Sequence, residues 1–329
     1  MISASLETIS KLLLEEDNFL IASHMSPDGD SVGSALALWM ALQALGKTTE
    51  VTTVDPVPFK YRFLPCWEQV KVWQEVKSKA YGLFIILDSS DLRRIEPLLS
   101  LAQSQKILNI DHHITNERYG MYNHIDSQAG SVGEIIFEII KQMKVQISKE
   151  MAVCLYTALN TDTGSFRYAN TTSRTHRIAG ALIDLGVKPA EITRYIYENV
   201  TREGTLLIKE ALNTLHFECQ GQIAHITVTR EMMERTGARD EDTEGLVNYT
   251  RNIGGVEIGI IFKEICAEKV RVGFRSHGVD VSKLAEIYGG GGHPRAAGCQ
   301  LEKSISQARP EVIKSAGKFL EECKNPVNG

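Results

Sequence analysis

From Asn18 onward the chain alternates short apolar segments with stretches whose apolar residues recur at helical spacing: Phe19–Ser23, a helix after Asp30, Glu50–Val54, Leu83–Leu87 and Lys106–Ile110. That alternation predicts βαβ units on a parallel sheet. The run Leu83-Phe-Ile-Ile-Leu87 has no polar residue, the pattern of a central strand covered on both faces. After Asp91, Leu92, Ile95, Leu98 and Leu99 recur at helical spacing. After Ser131 the pattern turns helical, through Val132–Met143, Lys149–Leu159, Arg174–Leu185 and Ala190–Asn199, with Gly186 and Pro189 punctuating the last two. These helices are expected to cover or close the sheet. The helical stretch Thr201–Leu215 reads as a connector. Beyond it the period changes to paired short strands, Phe217–Cys219 with Ile223–Val228 and Val256–Ile265 with Lys269–Phe274. The chain then runs through Val281–Tyr288, crosses Gly289–Gly292 and finishes on a helix, Ser304–Cys323, before a polar end. The expected organisation is α/β: a parallel-sheet domain over 1–200, a helical linker over 201–215 and a smaller α+β domain over 216–329.

Composition narrows the function. The 329 residues are 43% hydrophobic and 23% charged, enough for two packed domains. Lys plus Arg number 36 against 41 Asp plus Glu, so the net charge of −5 argues against a nonspecific binder of long nucleic acid and for small substrates. The longest uninterrupted apolar run, Ala35–Leu42, is far short of the roughly 20 residues a membrane-spanning helix needs. Residues 1–17 lack a basic region, and Leu6, Ile9, Leu13 and Leu14 sit at helical spacing between acids, so export is not expected. Six scattered cysteines without a C-x-x-C pair read as reduced packing residues of a cytoplasmic protein.

Four segments place His or Asp at the end of a regular element. His24, Asp28 and Asp30 follow the first strand, at the sheet edge where open α/β folds bind ligands. A turn with Asp30 as helix cap explains that cluster equally well. Asp88 ends the all-apolar strand; Asp91 is the better cap there, which leaves Asp88 for function. Asp111-His112-His113 follows the next strand; one imidazole suits a metal, the other a substrate, with Asp111 orienting a ring. Asp162 lies where a helix breaks into a turn, and capping is its default reading. Jointly His24, Asp28, Asp30, Asp88, His112 and Asp162 form an oxygen and nitrogen set suited to two divalent ions of the manganese type. Gly289–Gly292 followed by His293 and Arg295 is either a hinge or a phosphate cradle of exposed N–H groups. It is not a P-loop, since no Lys-Ser or Lys-Thr follows. Phe166, with Arg167 and Tyr168, lies beside Asp162, either to stack on a base or to pack.

The order H-x-x-x-D-x-D, D, D-H-H, D resembles the DHH phosphoesterase superfamily, and Gly289-Gly-Gly-Gly-His293-Pro-Arg295-Ala-Ala-Gly298 resembles the signature of its DHH-associated domain. Together they span nearly the whole chain and look most like the NrnA subgroup, stand-alone oligoribonucleases that also dephosphorylate 3′-phosphoadenosine 5′-phosphate. The resemblance implies one metal on His24, Asp28 and Asp88, a second on Asp30, Asp88, His112 and Asp162, and Asp88 as bridge. It implies Asp111 behind the ligands, His113 facing the scissile phosphate, and Arg275, Gly290, Gly291, Gly292, His293 and Arg295 holding substrate phosphate in a cleft between the domains. Two such ions, most simply Mn2+ with Mg2+ or Co2+ as substitutes, support in-line attack of water without a covalent enzyme nucleophile. The implied substrates are short RNA oligonucleotides and nucleotide bisphosphates, with no membrane partner; apolar surface on the large domain is compatible with a homodimer. The rival enzymatic reading is a phosphodiesterase for cyclic or linear signalling dinucleotides. A nucleotide-binding sensor is the rival outside catalysis, disfavoured by the intact ligand set, and pyrophosphatases differ in their second domain.

Overall fold

The computed structural model describes residues 2–77, 79–102 and 106–324, and its chain divides into two units, Met1–Asn199 and Val200–Gly329. The first contains β1 (Ile2–Ser3), α1 (Leu6–Glu15), β2 (Phe19–Ser23), α2 (Gly29–Ala44), β3 (Thr49–Thr53), β4 (Val70–Val72), β5 (Leu83–Leu87), α3 (Leu99–Ala102), β6 (Ile107–Asp111), β7 (Tyr122–Ile125), α4 (Val132–Gln142), α5 (Lys149–Asp162), α6 (Ser173–Asp184) and α7 (Pro189–Tyr197). Its seven strands are parallel, in the order β1-β7-β6-β5-β2-β3-β4.

The central strands show why their sequences carry no polar alternation. Phe19, Ile21, Leu83, Ile85 and Leu87 enter one core with α2, α4 and α5. Leu20, Ala22, Phe84 and Ile86 enter another with Ile95 and Leu98. Both faces are therefore dry, as a parallel sheet requires. The helical spacing after Asp91 yields a 3-10 turn over Leu92–Leu98, with Pro97 inside it, before α3.

Small residues let α2 run deep between the sheet and its neighbours. A Cβ at Gly33 would stand 3.3 Å from the Ala158 backbone nitrogen and would collide with the Cys154 carbonyl oxygen. One at Gly29 would meet the Thr161 side chain at 2.5 Å. The start of α2 therefore lies against the end of α5, which brings Asp30 to Asp162.

The second unit contains α8 (Arg202–Leu212), β8 (His216–Glu218), β9 (Ile223–Val228), α9 (Arg230–Thr236), α10 (Leu246–Arg251), β10 (Ile258–Cys266), β11 (Lys269–Ser276), α11 (Val281–Glu286), β12 (Gly291–His293), β13 (Ala296–Leu301) and α12 (Ile305–Lys324). The sheet order is β12-β13-β11-β10-β9-β8, antiparallel except for β9 and β10. Phe262, Val272 and Phe274 pack under Val312, Ala316 and Leu320 of α12. The stretch expected as a linker contributes to this unit's interior: Leu207 and Ala211 of α8 pack on Ile226, Val228 and Leu246. The polar end lies, from residue 325, outside the described residues.

Two glycine substitutions test the packing. Gly33→Ala is expected to destabilise by about 1–3 kcal/mol through overpacking. Gly180→Ala, on an open helical surface with nothing near its would-be Cβ, is expected to stabilise by about 0.5–1 kcal/mol. Urea unfolding of both variants checks the difference in sign.

Candidate metal centre

Three of the four acid and histidine segments singled out in the sequence lie at the carboxyl end of the parallel sheet. His24 follows β2, Asp88 follows β5, and Asp111-His112-His113 ends β6. In this sheet β3 and β4 lie to one side of β2, while β5, β6 and β7 lie to the other, so β2 and β5 flank the point where the strand order reverses. Open α/β sheets bind ligands there.

The capping assignments differ from the sequence expectation. Asp28, not Asp30, caps α2: its Oδ1 accepts the Ser31 N–H at 2.9 Å. Asp30 instead accepts the N–H groups of Val132 at 2.7 Å and Gly133 at 2.9 Å, together with the Ser34 hydroxyl at 2.9 Å. It supplies the cap of α4, whose own N-cap residue Ser131 makes no side-chain cap bond. Asp91 caps the turn after β5, accepting from the Arg93 N–H at 2.8 Å.

Hydrogen bonds select the ring nitrogens that face the acids. His24 Nδ1 donates to the Met25 carbonyl at 2.7 Å, which turns Nε2 to Asp88 Oδ2 at 3.2 Å. His112 Nδ1 donates to the Ala129 carbonyl at 3.2 Å, and its Nε2 stands 3.4 Å from Asp162 and 3.7 Å from Asp88. Carbonyl-fixed imidazoles of this kind are the usual metal-ligand arrangement. His113 Nδ1 donates to Asp111 at 2.7 Å. Asp111 also accepts the backbone N–H of His112 at 2.7 Å and the Asn116 amide at 2.5 Å.

Ligand atoms gather in three sets, each within 4.8 Å: His24, Asp28 and Asp88; Asp30, His112 and Asp162; and Asp88, Asp111, His112 and His113. Asp88 Oδ1 is buried and receives no hydrogen bond; His113 Nδ1 and His112 Nε2 stand 3.6 and 3.7 Å away. Asp88 holds a left-handed backbone, φ 57°. The mixed carboxylate and imidazole set, with a buried acceptor left for a ligand, fits divalent cations.

The charges are unbalanced without them. Burial, reinforced by the charges of Asp88 and Asp162, raises Asp30 well above the carboxylate range. Burial pushes Asp162 up to about 7, with Asp88 adding to it and His112 opposing. Burial also works to raise Asp88, but the His24 hydrogen bond and three histidine charges outweigh it and hold it low. Burial lowers His112, yet Asp162 and Asp88 overcome that and lift it to about 10.

Substrate-contact expectations fare unevenly. The strand register lines up Arg275 of β11, Ala296 of β13 and His293 of β12 in one row. Arg275 donates to the Phe274 carbonyl at 2.9 Å. Arg295 is exposed and donates to the Val279 carbonyl at 2.8 Å. The His293 side chain lies outside the described residues. The open cradle over Gly290–Gly292 is corrected: the N–H groups of Gly289 and Gly290 donate to Glu286 and Ala285, closing the end of α11, and Gly291 and Gly292 pair with β13. Phe166 is corrected too, since its half-buried ring stacks on His176 at 5.5 Å and meets Tyr156 at 5.7 Å.

Asn116 was missed. Its amide donates to Asp111 and to the Ser89 carbonyl at 3.0 Å, and accepts from Asn109 at 3.0 Å and the Arg118 N–H at 2.7 Å. All its capacity is used in tying the loop after β5 to the loop after β6. The only signal was its place three residues past the second histidine.

Cation uptake by this centre depends on pH. The folded value of Asp162, about 7, lies above its free value of 3.8, so its contribution to stability is present below 3.8 and lost as pH rises through about 7. A cation replaces the lost proton. The thermal stabilisation given by Mn2+ over chelated protein is therefore expected to widen from about pH 5 to about pH 8, with protons released on uptake. A constant difference across that range would remove Asp162 from the ligand set.

Residues 18–159 match the DHH family N-terminal domain and residues 220–323 the DHHA1 domain. A relative from Thermus thermophilus described as a bifunctional oligoribonuclease and PAP phosphatase NrnA is 33% identical over 307 residues, covering 93% of this chain and 91% of the relative. One of the same description from Bacillus subtilis is 28% identical over 294 residues, covering 87% and 90%. The solved structure of an exopolyphosphatase-related protein from Bacteroides fragilis superposes with a TM-score of 0.89 at 26% identity, over 96% of this chain and 97% of that one. With the Thermus relative matched at that identity along almost the whole of both sequences, the chain belongs to the DHH family and is a metal-dependent hydrolase built from DHH and DHHA1 domains.

Proposed function

We propose that the protein uses manganese to hydrolyse short oligoribonucleotides to mononucleotides and to remove the 3′-phosphate of 3′-phosphoadenosine 5′-phosphate. The observation that carries this reading is the convergence of His24, Asp28, Asp30, Asp88, His112 and Asp162 in ligand sets, within a chain similar along its length to relatives described by those two activities. His24, Asp28 and Asp88 would hold one ion; Asp30, Asp88, His112 and Asp162 would hold the other. When bound, two such ions lower the pKa of water and neutralise charge on the attacking and leaving oxygens.

The chain's own residues do the rest. Asp111 fixes the tautomer of His113, so Nε2 is the nitrogen offered to the scissile phosphate. Asp30 would offer an ion its Oδ2, which accepts the Val132 N–H, rather than its Oδ1, which accepts from both Ser34 and Gly133. Arg275, His293 and Arg295 would hold a second phosphate of the substrate. The net charge of −5 favours short substrates. Among the described residues no helix is long and apolar enough to cross a membrane.

Two experiments test the reading. Manganese-loaded protein is expected to release mononucleotides from a linear 5′-phosphorylated RNA dinucleotide and phosphate from 3′-phosphoadenosine 5′-phosphate, with both activities lost to chelator. Preference for a cyclic dinucleotide, or binding of all three without turnover, would overturn it. Asp88→Asn is expected to lose about 100-fold or more in kcat while remaining folded, because asparagine tolerates the left-handed backbone of this position. Retained turnover in that variant would refute the assignment of Asp88 to both ions.

A further inference from the structure

Immediately beyond Asp162 the backbone does something costly. Gly164, Ser165 and Phe166 are consecutive left-handed residues, with φ of 57°, 61° and 61°. A residue with a side chain gives up about 1–2 kcal/mol in that region, and runs of them are avoided. Strain of this kind is retained where the surroundings enforce it, often at functional sites.

The enforcement is visible. Ser165 N–H donates to the Asn160 carbonyl at 2.7 Å, Phe166 N–H to the Thr163 hydroxyl at 3.1 Å, and the N–H groups of Arg167 and Tyr168 to the Thr163 carbonyl at 2.9 and 3.0 Å. Phe166 anchors the turn inward between Tyr156 and His176. Arg167 is pinned by its Nε on the Gly164 carbonyl at 2.7 Å.

The product of the turn is the placement of Tyr168. A Cβ on Gly164 would fall 2.5 Å from both Cε1 and Cε2 of that ring and closer still to Cζ. One face of the tyrosine thus lies on the bare Cα of Gly164, two residues from Asp162, while 40% of the residue stays exposed. Tyr197, also 40% exposed, donates its hydroxyl to the Asn160 carbonyl at 3.4 Å, at the same helix end.

We propose that Tyr168 is the surface on which a nucleobase of the substrate stacks, held at the edge of the metal centre by the left-handed turn Gly164–Phe166. The assignment rests on the oligonucleotide reading above. It replaces Phe166, whose ring is taken up in packing, and it selects for any base, since every base has a π face.

The test compares kcat/KM for 5′-phosphorylated diadenylate with that for the same molecule abasic at both sugars. The ratio is independent of how much enzyme is folded. Base–aromatic stacking makes it large in the wild type, and Tyr168→Leu, which keeps an apolar cover over Gly164, is expected to shrink it about 10-fold. Tyr168→Ala is expected to do the same, and Tyr168→Trp to retain it. An unchanged ratio in Tyr168→Leu and Tyr168→Ala overturns the stacking role, as does a wild type that hydrolyses both substrates equally. A wild type that hydrolyses neither overturns the oligonucleotide reading instead, and this inference with it.

Discussion

Repulsion among the clustered carboxyl groups of Asp30, Asp88 and Asp162 is the constraint on which the rest of the molecule turns. Two like charges 4 Å apart cost about 4 kcal/mol at the effective dielectric of a protein edge. The fold answers by giving each acid its own source of positive charge. Asp30 takes the N-terminus of α4, where two backbone N–H groups and the helix dipole converge. Asp88 takes His24, and Asp162 takes His112. What these partners leave uncompensated is the attraction for cations.

Packing brings the acids into that conflict. Residues with little or no side chain line the face of α2 that meets α5, and Gly133 of α4 closes on Ala158 in the same way. Because these contacts are backbone-close, the ends of α2, α4 and α5 share one corner of the sheet. The central strands, dry on both faces, fix the other half of the site by holding the ends of β2, β5 and β6 in register.

Much of this was legible before the structure. β2 and β5 follow from uninterrupted apolar runs, and the six ligand candidates follow from acids and histidines at element ends. The illegible part is long-range. Nothing local to Asp30 announces that it caps a helix 102 residues away, and Asn116 acts through side-chain bonds that periodicity does not record. The β12–β13 hairpin escaped because a glycine run has no apolar alternation to read. Phe166 and Tyr168 illustrate the same gap. Both are aromatic and within six residues of Asp162, and the left-handed run Gly164–Phe166 with its hydrogen bonds sends one ring inward and leaves the other partly exposed.

The ends of the two sheets carry a different consequence. The parallel sheet terminates in β1, two residues long, and β4, three; the mixed sheet terminates in β8 and β12, each of three. An exposed strand edge is a template for pairing with another chain, and its danger grows with its length. Among the described residues all four edges are too short to seed such growth. The long, strongly apolar strands that build the site are thereby kept in sheet interiors, away from the edges on which another chain could pair.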